Sequence, residues 1–462
     1  MLRYETQNGS GWHSPRTRAD GEQMAQVTGA SNGANSDRAP PKHDQLTALR
    51  SSADAMMRSN TARFRVCVIS VPTLPFNHIA TLDHFVRLLM PSCQKIFLIT
   101  GKDFPYQYDN RVVVTRVNPH KNGSPLDQIA GKVIEQIADA IHLIRLAHNF
   151  SIVLFHFNPH HNQLPIICAK ALKKRIVVCH IGGNYILEQK LSPTSGAKRI
   201  LCSAAACLSR FSYLMANVIT CEGGEYLMRW SQLEKYERKL VWFVHYVDID
   251  RFSIVKPQDG RSDVIGYFGR LDNKKGVLNL IRAMPLILKE RGDVRFVIAG
   301  PGPLRGAVER EIKLLDINDK VDVVGFIEEI QVPKILTQWR LLALPSYEEG
   351  VPVVIMQAMA CGTPVAVTPV GGIPDLVRDN YEAFIIYDNT PEGIARTVLR
   401  ALQSRNLERI AARGRHLIEK TYGFEQMVVR YRAMLEKADQ ETKGISLWQE
   451  HTNQCRIYGD CK

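Results

Sequence analysis

The amino-acid sequence predicts an α/β protein built from two successive doubly wound, Rossmann-like domains. Short β-branched apolar runs alternate with helix-like stretches, and this alternation occurs in two series along the 462 residues, as in chains that form parallel sheets with helices between the strands. The predicted strands are apolar almost throughout, which is typical of parallel strands covered on both faces. Two facing sheets of this kind form a cleft lined by the carboxyl ends of their strands, where ligands of such folds bind.

The first domain is predicted for residues 61–247. Helical stretches such as residues 126–148 supply the crossovers between its strands. The predicted strands are Arg65–Val71, Lys95–Thr100, Arg111–Val117, Ser151–Phe157, Arg175–Ile181 and Val218–Cys221. Residues 1–60 are rich in Gly, Ser, Asn, Ala and Thr without a sustained apolar period, which predicts a disordered tail.

The second domain is predicted for residues 248–422. Its predicted strands are Asp263–Phe268, Val294–Ala299, Lys320–Val324, Leu341–Leu344, Pro364–Thr368 and Ala383–Tyr387. A helix over residues 423–440 carries apolar side chains with i, i+4, i+7, i+11 spacing from Phe424, and such a stripe must pack against another surface. Residues 441–462 are predicted to be a loose tail.

The composition is that of an ordinary globular protein, with 45% hydrophobic and 23% charged residues. It excludes collagen-like, disulfide-scaffold and wholly disordered chains. The formal net charge is +13, and residues 61–250 account for +9 of it. An anionic partner is therefore expected for the first domain. Nucleic acid, a phosphorylated substrate and an anionic membrane surface all fit this charge.

Most of the ten cysteines are predicted to be free thiols, and Cys455 and Cys461 are the only plausible disulfide pair. Cys67, Cys179 and Cys221 lie in apolar strand-like runs, and Cys361 precedes a glycine at the end of an apolar stretch. The sequence contains neither a CxxC motif nor a His/Cys cluster with zinc spacing. Buried thiols in a reducing compartment explain this pattern.

The sequence predicts a cytoplasmic location without a membrane span. The first ten residues lack the apolar core of a signal peptide. The segment Ile200–Ile219 is the nearest approach to a span, but it is interrupted by Arg210 and diluted with Ser and Ala. An amphipathic helix packed on a sheet is the favoured interpretation.

The loop after the strand that ends at Phe268 has the composition of an anion site. It reads Gly-Arg-Leu-Asp-Asn-Lys-Lys-Gly over residues 269–276 and stands directly before a helix. Arg270 can bind two phosphate oxygens at once, and Lys275 adds a point charge. Taken alone, the loop fits equally well a solvated basic turn in which Gly276 helps to start the helix.

Two further loops contain glycines in tight turns. Residues 300–306 have the spacing G-x-G-x-x-x-G with prolines in the turn, so a tight βα turn explains them better than a dinucleotide-binding motif does. Gly325 and Phe326 end a predicted strand. The glycine permits close backbone approach and the ring can flank a flat base, although a plain strand terminator is nearly as good an explanation.

The segment 345–364 is the most informative part of the sequence. A strand ends in Pro-Ser, two carboxylates follow, and a helix is predicted to begin near Pro352. The backbone amides of Val353 and Val354 point out of its first turn as a set that binds an anion or a hydroxyl. Gln357 is a predicted buried amide in an otherwise apolar helix and needs a partner, such as a ligand hydroxyl. Glu349 just before the helix and Gln357 on its side can both contact one ligand.

Taken together, these motifs resemble the donor domain of the large retaining glycosyltransferase family 4, which has the GT-B fold. The resemblance runs from Ile265 to about Arg400, and residues 247–252 resemble the interdomain segment of the family. The matching motifs are Gly-Arg-Leu-Asp-x-x-Lys-Gly at 269–276, Ala-Gly-Pro-Gly-Pro-Leu-Arg at 299–305, Val-Gly-Phe at 324–326, Pro-Ser-Tyr-Glu-Glu-Gly at 345–350, Ala-Met-Ala-Cys-Gly-Thr-Pro-Val at 358–365 and Gly-Gly-Ile-Pro-Asp-Leu-Val at 371–377. The helix from Phe424 resembles the one that crosses back to the N-terminal domain.

The resemblance implies a role for each of these motifs. Arg270 and Lys275 would hold the donor diphosphate and neutralise the leaving group, and Glu349 would bind hydroxyls of the donor sugar. Gly325 and Phe326 would sit beside the nucleotide base. The donor-binding residues that this predicts, besides the catalytic ones, are Gly269, Gly325, Phe326, Gly350, Val353, Val354 and Gln357.

The sequence departs from the family pattern at two places. The position of Gln357 normally holds a second glutamate that accepts from the ribose hydroxyls, and an amide carbonyl is a weaker acceptor than a carboxylate. The usual Gly-Gly loop after the first strand is missing, and Pro72–Asn77 stands there instead. The sequence therefore does not assign donor-phosphate or acceptor contacts to that loop.

Histidines supply the remaining candidates. His180 ends a predicted strand before Ile-Gly-Gly-Asn and resembles the active-site histidine of the family, which faces the donor sugar from across the cleft. A histidine satisfied within the core is the alternative, but the position at the carboxyl end of a strand favours the site. His156, His160 and His161 lack a carboxylate partner, and GT-B enzymes resemble one another in needing no bound metal, so no metal site is predicted.

The sequence therefore predicts a retaining, hexosyl-type glycosyltransferase that moves a sugar from a nucleoside-diphosphate sugar to an acceptor hydroxyl, in glycolipid or surface polysaccharide synthesis. The alternatives are a catalytically weakened scaffold that retains donor affinity and a nucleotide-sugar epimerase on the same fold. The donor is a substrate, and no cofactor is predicted. A glycan or lipid-linked acceptor is expected as a partner, and nucleic acid is not.

An anionic membrane at its cytoplasmic face is a further expected partner. Basic residues accompany a predicted apolar helix that contains Leu201, Leu208, Phe211 and Leu214, an arrangement that suits docking on anionic lipid. A core helix with solvated lysines nearby is an equally good interpretation. The basic residues are Lys170, Lys173, Lys174, Arg175, Lys190, Lys198, Arg199 and Arg210.

Overall fold

A computed structural model describes most of the chain between residues 62 and 440. The described ranges are 62–70, 76–101, 104–117, 125–156, 159–180, 196–222, 233–243, 245–254, 257–258 and 260–440. The predicted tails 1–60 and 441–462 lie outside them. Within these ranges, no helix has the length and apolar character that crossing a bilayer requires.

The first half of the chain forms a seven-stranded sheet in the order β3-β2-β1-β4-β5-β6-β7. Its strands are β1 Phe64–Ser70, β2 Cys93–Gly101, β3 Val112–Val117, β4 Ile152–His156, β5 Arg175–His180, β6 Val218–Glu222 and β7 Leu240–Phe243. The helices of this half are α1 Phe76–Leu89, α2 Pro125–Leu146, α3 Gln163–Ala171 and α4 Gly196–Met215. Strand β7 is not among the predicted strands; the other six agree with the prediction to within two residues at each end.

The second half forms a six-stranded sheet in the order β10-β9-β8-β11-β12-β13. Its strands are β8 Val264–Phe268, β9 Arg295–Ala299, β10 Val321–Gly325, β11 Leu341–Leu344, β12 Val365–Val367 and β13 Phe384–Ile385. The helices are α5 Val277–Glu290, α6 Arg305–Leu314, α7 Val332–Leu336, α8 Val353–Ala360, α9 Ile373–Leu376, α10 Pro391–Leu402, α11 Leu407–Thr421 and α12 Phe424–Gln440. Short 3₁₀ turns cover Met90–Ser92, Ala147–Asn149, Pro159–His161, Glu234–Lys239, Asn273–Lys275 and Glu329–Gln331.

All strand pairings in both sheets are parallel, which confirms the predicted α/β fold class of two Rossmann-like sheets. In each sheet the strand order reverses once, between β1 and β4 and between β8 and β11. At such a reversal the chain leaves neighbouring strands in opposite directions, and a crevice opens at their carboxyl ends. Both sheets belong to one compact unit of the chain.

Helix α12 follows the second sheet in sequence but packs on the first, against α1 and strands β4 to β7. Its apolar stripe is buried there, and the ring of Tyr431 meets Phe85 edge-on at 5.5 Å between centroids. The Lys437 ammonium donates to the Leu240 carbonyl at 3.2 Å. Where the chain passes between the sheets, the amide of Val247 donates to the carbonyl of Tyr422 at 2.8 Å.

The cysteines whose side chains the structure describes are free thiols. Cys67, Cys179, Cys221 and Cys361 are buried, as predicted. Burial raises the pKa of Cys179 and of Cys361 to about 12, so both thiols stay protonated and unreactive at neutral pH.

Candidate active site

The candidate site lies at the strand-order reversal of the second sheet. Strands β8 and β11 are neighbours, with Ile265 opposite Leu341. The loop 269–276 follows β8 and the loop 345–352 follows β11. The amide of Tyr347 donates to the carbonyl of Lys274 at 2.7 Å, so the two loops are joined by backbone. Two motifs that are distant in sequence therefore form one surface.

An ion pair connects the two loops. The Lys275 ammonium lies 2.7 Å from Oε2 of Glu349, and the Ser346 hydroxyl donates to the other carboxylate oxygen at 2.6 Å. The Glu349 side chain is 5% exposed and that of Lys275 is 25% exposed. The two groups that the sequence assigns to different parts of a donor thus neutralise each other in this structure.

Two other charged pairs flank this one. The Lys274 ammonium lies 3.1 Å from the Glu348 carboxylate, and Nε of Arg270 lies 3.1 Å from the Asp272 carboxylate. The Arg270 side chain is 59% exposed. Because Asp272 engages only one edge of the guanidinium, Arg270 presents an accessible cation to solvent, as does Lys274, which is 52% exposed.

Residues outside the predicted site hold the second loop in place. Asn279 on α5 donates to the Tyr347 hydroxyl and to the Asn389 carbonyl, both at 2.6 Å. The Asn389 side chain donates to the Pro345 carbonyl at 2.9 Å, and the Thr368 hydroxyl donates to the Ser346 carbonyl at 2.6 Å. Sequence analysis missed these contacts and the Ser346 contact to Glu349, because each joins segments that are far apart in the chain.

Two glycines allow the backbone to approach closely at the site. Gly276 has φ +64°, and a Cβ there would lie 2.0 Å from the Pro345 carbonyl oxygen. Gly371 has φ +60°, and a Cβ there would lie 1.8 Å from the Glu349 carbonyl oxygen. Larger residues are therefore excluded at both positions. The neighbouring amide of Gly372 donates to the Gly350 carbonyl at 2.7 Å, which fixes the backbone after Glu349.

The loops after β8, β9 and β10 pack edge to edge beside the ion pair. The amide of Gly269 donates to the Ala299 carbonyl at 3.0 Å, and that of Gly300 donates to the Gly325 carbonyl at 2.6 Å. A Cβ on Gly300 would lie 2.0 Å from the Gly269 carbonyl oxygen. This packing explains the glycine and confirms the interpretation of the loop as a tight turn. Phe326, at the end of this row, is 61% exposed.

Helix α8 begins directly after the second loop. Pro352 is its N-cap and offers no side-chain cap. The amides of Val353 and Val354 donate to no acceptor within the described part of the chain, as is usual in the first turn of a helix, and their role in binding stays a prediction. Gln357 is half-buried and not buried as predicted. A ligand hydroxyl as the partner of this amide stays a prediction.

The structure buries His180 at the end of β5 and gives it a partner in the first half of the chain. Nδ1 of His180 lies 2.6 Å from the Tyr213 hydroxyl on α4. Burial raises the pKa of Tyr213 above its usual range, so the phenol stays protonated and can donate to the imidazole. The active-site role of His180 stays a prediction.

The rings of His160 and His161 lie with their centroids 4.1 Å apart and their planes tilted by 47°. Burial lowers the pKa of His160 to about 3 and that of His161 to about 4, with Lys132 adding to both shifts. Both imidazoles are therefore neutral at pH 7. Among the described residues, no group of three His, Cys, Asp or Glu side chains is placed to hold a metal ion.

Residues 248–416, which contain both loops of the ion pair, match the family model described as glycosyl transferases group 1. The match covers fewer than half of the 462 residues, and we call the matched segment the group 1 domain. The domain carries the predicted residues Arg270, Lys275, Glu349 and Gln357, and His180 lies outside it.

Two curated proteins are similar to part of this chain. An uncharacterized glycosyltransferase of Methanocaldococcus jannaschii is 37% identical over 139 residues, which are 30% of this chain and 35% of that protein. The amylovoran biosynthesis glycosyltransferase AmsK of Erwinia amylovora is 31% identical over 140 residues, which are 29% of this chain and 34% of that protein. The chain thus matches about a third of the length of these relatives.

The fold as a whole is similar to that of two solved structures. The Anabaena protein HepE, crystallised with UDP and glucose, superposes with a TM-score of 0.61 over 81% of this chain and 100% of HepE, at 15% identity. Sucrose-phosphate synthase from Thermosynechococcus elongatus superposes with a TM-score of 0.64 over 82% of this chain and 100% of that chain, at 16% identity. Both sheets, and not only the group 1 domain, therefore share the GT-B architecture.

Proposed function

We propose that the protein is a retaining glycosyltransferase of family 4 that transfers a hexosyl group from a nucleoside-diphosphate sugar to an acceptor hydroxyl. One observation carries the proposal: at the carboxyl ends of β8 and β11, the mostly buried Lys275–Glu349 pair stands beside the exposed Arg270 and the start of α8. This set combines cations for a diphosphate with a carboxylate for sugar hydroxyls.

The chemistry of the donor matches the charges of this set. The diphosphate binds Arg270 through two oxygens and draws the Lys275 ammonium toward its leaving oxygen. The donor sugar then donates its hydroxyls to Glu349, which replaces the contact that the carboxylate loses. Negative charge grows on the diphosphate as the glycosidic bond breaks, and cations fixed beforehand stabilise that charge without reorganisation.

The retaining course of the reaction is part of the proposal. The sequence offers no obvious nucleophile, and Glu349 is assigned to binding the hydroxyls of the donor sugar. We therefore propose a front-face displacement, as the resemblance to family 4 implies, and not a covalent intermediate. Arg270, Lys275 and the first amides of α8 serve as the electrophilic groups in this proposal, and no cofactor takes part.

The donor and the acceptor are proposed from similarity. HepE is described in complex with UDP-glucose as well as with UDP, which supports a nucleoside-diphosphate hexose as the donor and makes UDP-glucose the first to test. The similarity to the amylovoran biosynthesis glycosyltransferase supports a role in glycolipid or surface polysaccharide synthesis. We propose a glycan or lipid-linked acceptor at the cytoplasmic face of a membrane.

Incubation with a panel of nucleotide sugars and acceptors, with release of nucleoside diphosphate as the readout, tests the proposal. Release is expected with at least one donor, and the product should keep the anomeric configuration of the donor in NMR spectra. Donor binding without release on any acceptor would favour the weakened scaffold. Conversion of the donor sugar while it stays attached to the nucleotide would favour the epimerase.

A further inference from the structure

Tyr267 places a phenol in the core around the second sheet. It lies on strand β8, one residue before the end of that strand, and it is fully buried. Phenylalanine would fill nearly the same volume without a polar atom that needs a partner. A buried hydroxyl is destabilising unless it forms a hydrogen bond, so the contact of this hydroxyl explains why tyrosine stands here.

The hydroxyl of Tyr267 contacts the backbone of the first loop of the site. It donates to the Arg270 carbonyl at 2.7 Å. The amide of Asp272 donates to the same carbonyl at 3.0 Å. On the other edge of this peptide, the amide of Leu271 donates to the Pro301 carbonyl at 2.9 Å. The peptide that joins Arg270 to Leu271 is therefore held on both edges, and Tyr267 holds one of them from the core.

The phenol is a hydrogen-bond donor in this position. Burial raises the pKa of Tyr267 above its usual range, and the carboxylates of Asp272 and Glu349 raise it further. The hydroxyl therefore stays protonated at neutral pH. A Cβ on Gly269 would lie 3.4 Å from the phenol oxygen, which places the hydroxyl beside the start of the first loop.

The side chain of Arg270 is held at a second point. Its Nε lies 3.1 Å from Oδ2 of Asp272. Asp272 occupies the N-cap position of the turn Asn273–Lys275, where an aspartate commonly accepts from the backbone, but its side chain makes no such cap. Its carboxylate instead holds one edge of the guanidinium. The remaining N–H groups can donate to two oxygens of a diphosphate.

We infer that Tyr267 is a positioning residue of the donor site, whose hydroxyl holds the Arg270 peptide so that the guanidinium meets the donor diphosphate in a fixed orientation. The inference deepens the proposed function and rests on it for the nature of the ligand. Because Tyr267 is fully buried, its effect reaches the donor only through the loop. Cations fixed before the reaction stabilise growing charge without reorganisation, and small errors in placement cost large factors in rate.

Calorimetric titration of the full-length protein with UDP, GDP and ADP tests the inference, and the nucleotide bound most tightly by the parent protein serves as the probe. Tyr267→Phe keeps the ring and removes the hydroxyl. It should weaken binding of the probe about threefold to tenfold, as the loss of one hydrogen bond typically does. Turnover should fall at least about tenfold, because the contact between Arg270 and the diphosphate strengthens as charge grows there.

A double-mutant cycle separates positioning from a general loss of structure. In the Arg270→Ala background, Tyr267→Phe should change the affinity for the probe by less than about twofold, because the group that it positions is already absent. The same factor in both backgrounds would overturn the inference, since the hydroxyl would then act on the fold and not through Arg270. A Tyr267→Phe variant with the affinity and turnover of the parent protein would overturn it as well.

Tyr108→Phe is the matched control. The Tyr108 hydroxyl donates to Asp83 at 2.8 Å in the first half of the chain, so the substitution removes the same group elsewhere. The control should bind the probe as the parent protein does, and an equal loss in the control would contradict the assignment to Tyr267. Binding of the probe without sugar transfer would refute the proposed reaction alone, whereas failure to bind all three nucleotides would refute both.

Discussion

The Lys275 ammonium and the Glu349 carboxylate form a 2.7 Å ion pair between two loops of the group 1 domain. Each group therefore reaches the proposed donor only by giving up part of its contact to the other. An ion pair that is mostly buried is costly to break on one side, because the remaining charge keeps its burial and loses its counterion. This relationship links activity and stability at one position.

Replacement of Lys275 by alanine should lower turnover about 100-fold or more, because one fixed charge beside the leaving diphosphate is lost. Steady-state release of nucleoside diphosphate measures this. Lys274→Ala is the matched control, since Lys274 is the adjacent residue, is 52% exposed and pairs with Glu348. A control that loses as much turnover as Lys275→Ala would refute the assignment of the diphosphate contact to Lys275.

The same Lys275→Ala variant should also lower the free energy of unfolding by about 1–3 kcal/mol, because Glu349 keeps its buried charge with only Ser346 as a partner. Adding Glu349→Gln removes that charge and should restore about half of the loss or more. Urea denaturation of the two single variants and the double variant measures the coupling. Additive losses would show that the pair has no energetic coupling.

Gln357→Glu should preserve or improve donor affinity, because a carboxylate accepts more strongly than an amide from ribose hydroxyls. The half-buried position leaves room for the charge to be solvated when no donor is bound. Isothermal titration with UDP and UDP-glucose provides the measurement, with Gln357→Leu as the control that keeps the size and removes the acceptor. Weaker binding by a well-folded Glu variant than by the Leu variant would exclude a ribose contact.

Asp139 makes stability depend on pH. Burial, with the nearby Glu135 carboxylate, raises the pKa of Asp139 to about 7, and one of its oxygens has no hydrogen-bond partner. The folded state therefore holds a proton that the unfolded state releases near pH 4. The free energy of unfolding should fall as pH rises from about 4 to about 7 and then stay low.

Asp139→Asn removes this ionisation and should raise the free energy of unfolding at pH 8 by about 2–4 kcal/mol, with the gain vanishing toward pH 4. Urea denaturation across this pH range measures the gain. Asp319→Asn, which changes an exposed aspartate, is the control and should stay within about 0.5 kcal/mol of the parent protein. A gain at position 139 that does not change with pH would point to packing and not to titration.

Local sequence patterns predict most of the fold because the central strands are buried on both faces and read as continuous apolar runs. Strand β7, Leu240–Phe243, escapes this rule: it has four residues and pairs with β6 at the edge of the sheet. So short an apolar run can belong to a strand, a helix or a loop, and only the neighbouring strand decides which.

At the site, sequence predicts which residues carry the chemistry but not how they are paired. Arg270, Lys275 and Glu349 stand out by residue type next to glycines and helix starts. Lys275 pairs with Glu349, and Asn279 and Asn389 support the second loop, because β8 and β11 are neighbours in the sheet. Nothing in the sequence of either loop indicates that these two strands are adjacent. The half-buried state of Gln357 likewise depends on what packs against α8.

The position of α12 has a consequence for biosynthesis. This helix covers α1 and strands β4 to β7 of the first sheet, yet the ribosome makes it after the whole second sheet. Roughly 200 residues separate β7 from the end of α12, which at 5–20 residues per second is a delay of about 10 to 40 seconds. Throughout that interval the nascent first half lacks Tyr431 and Leu435 from its core. A growing chain of this protein therefore exposes the apolar surface that α12 covers until that helix has been made.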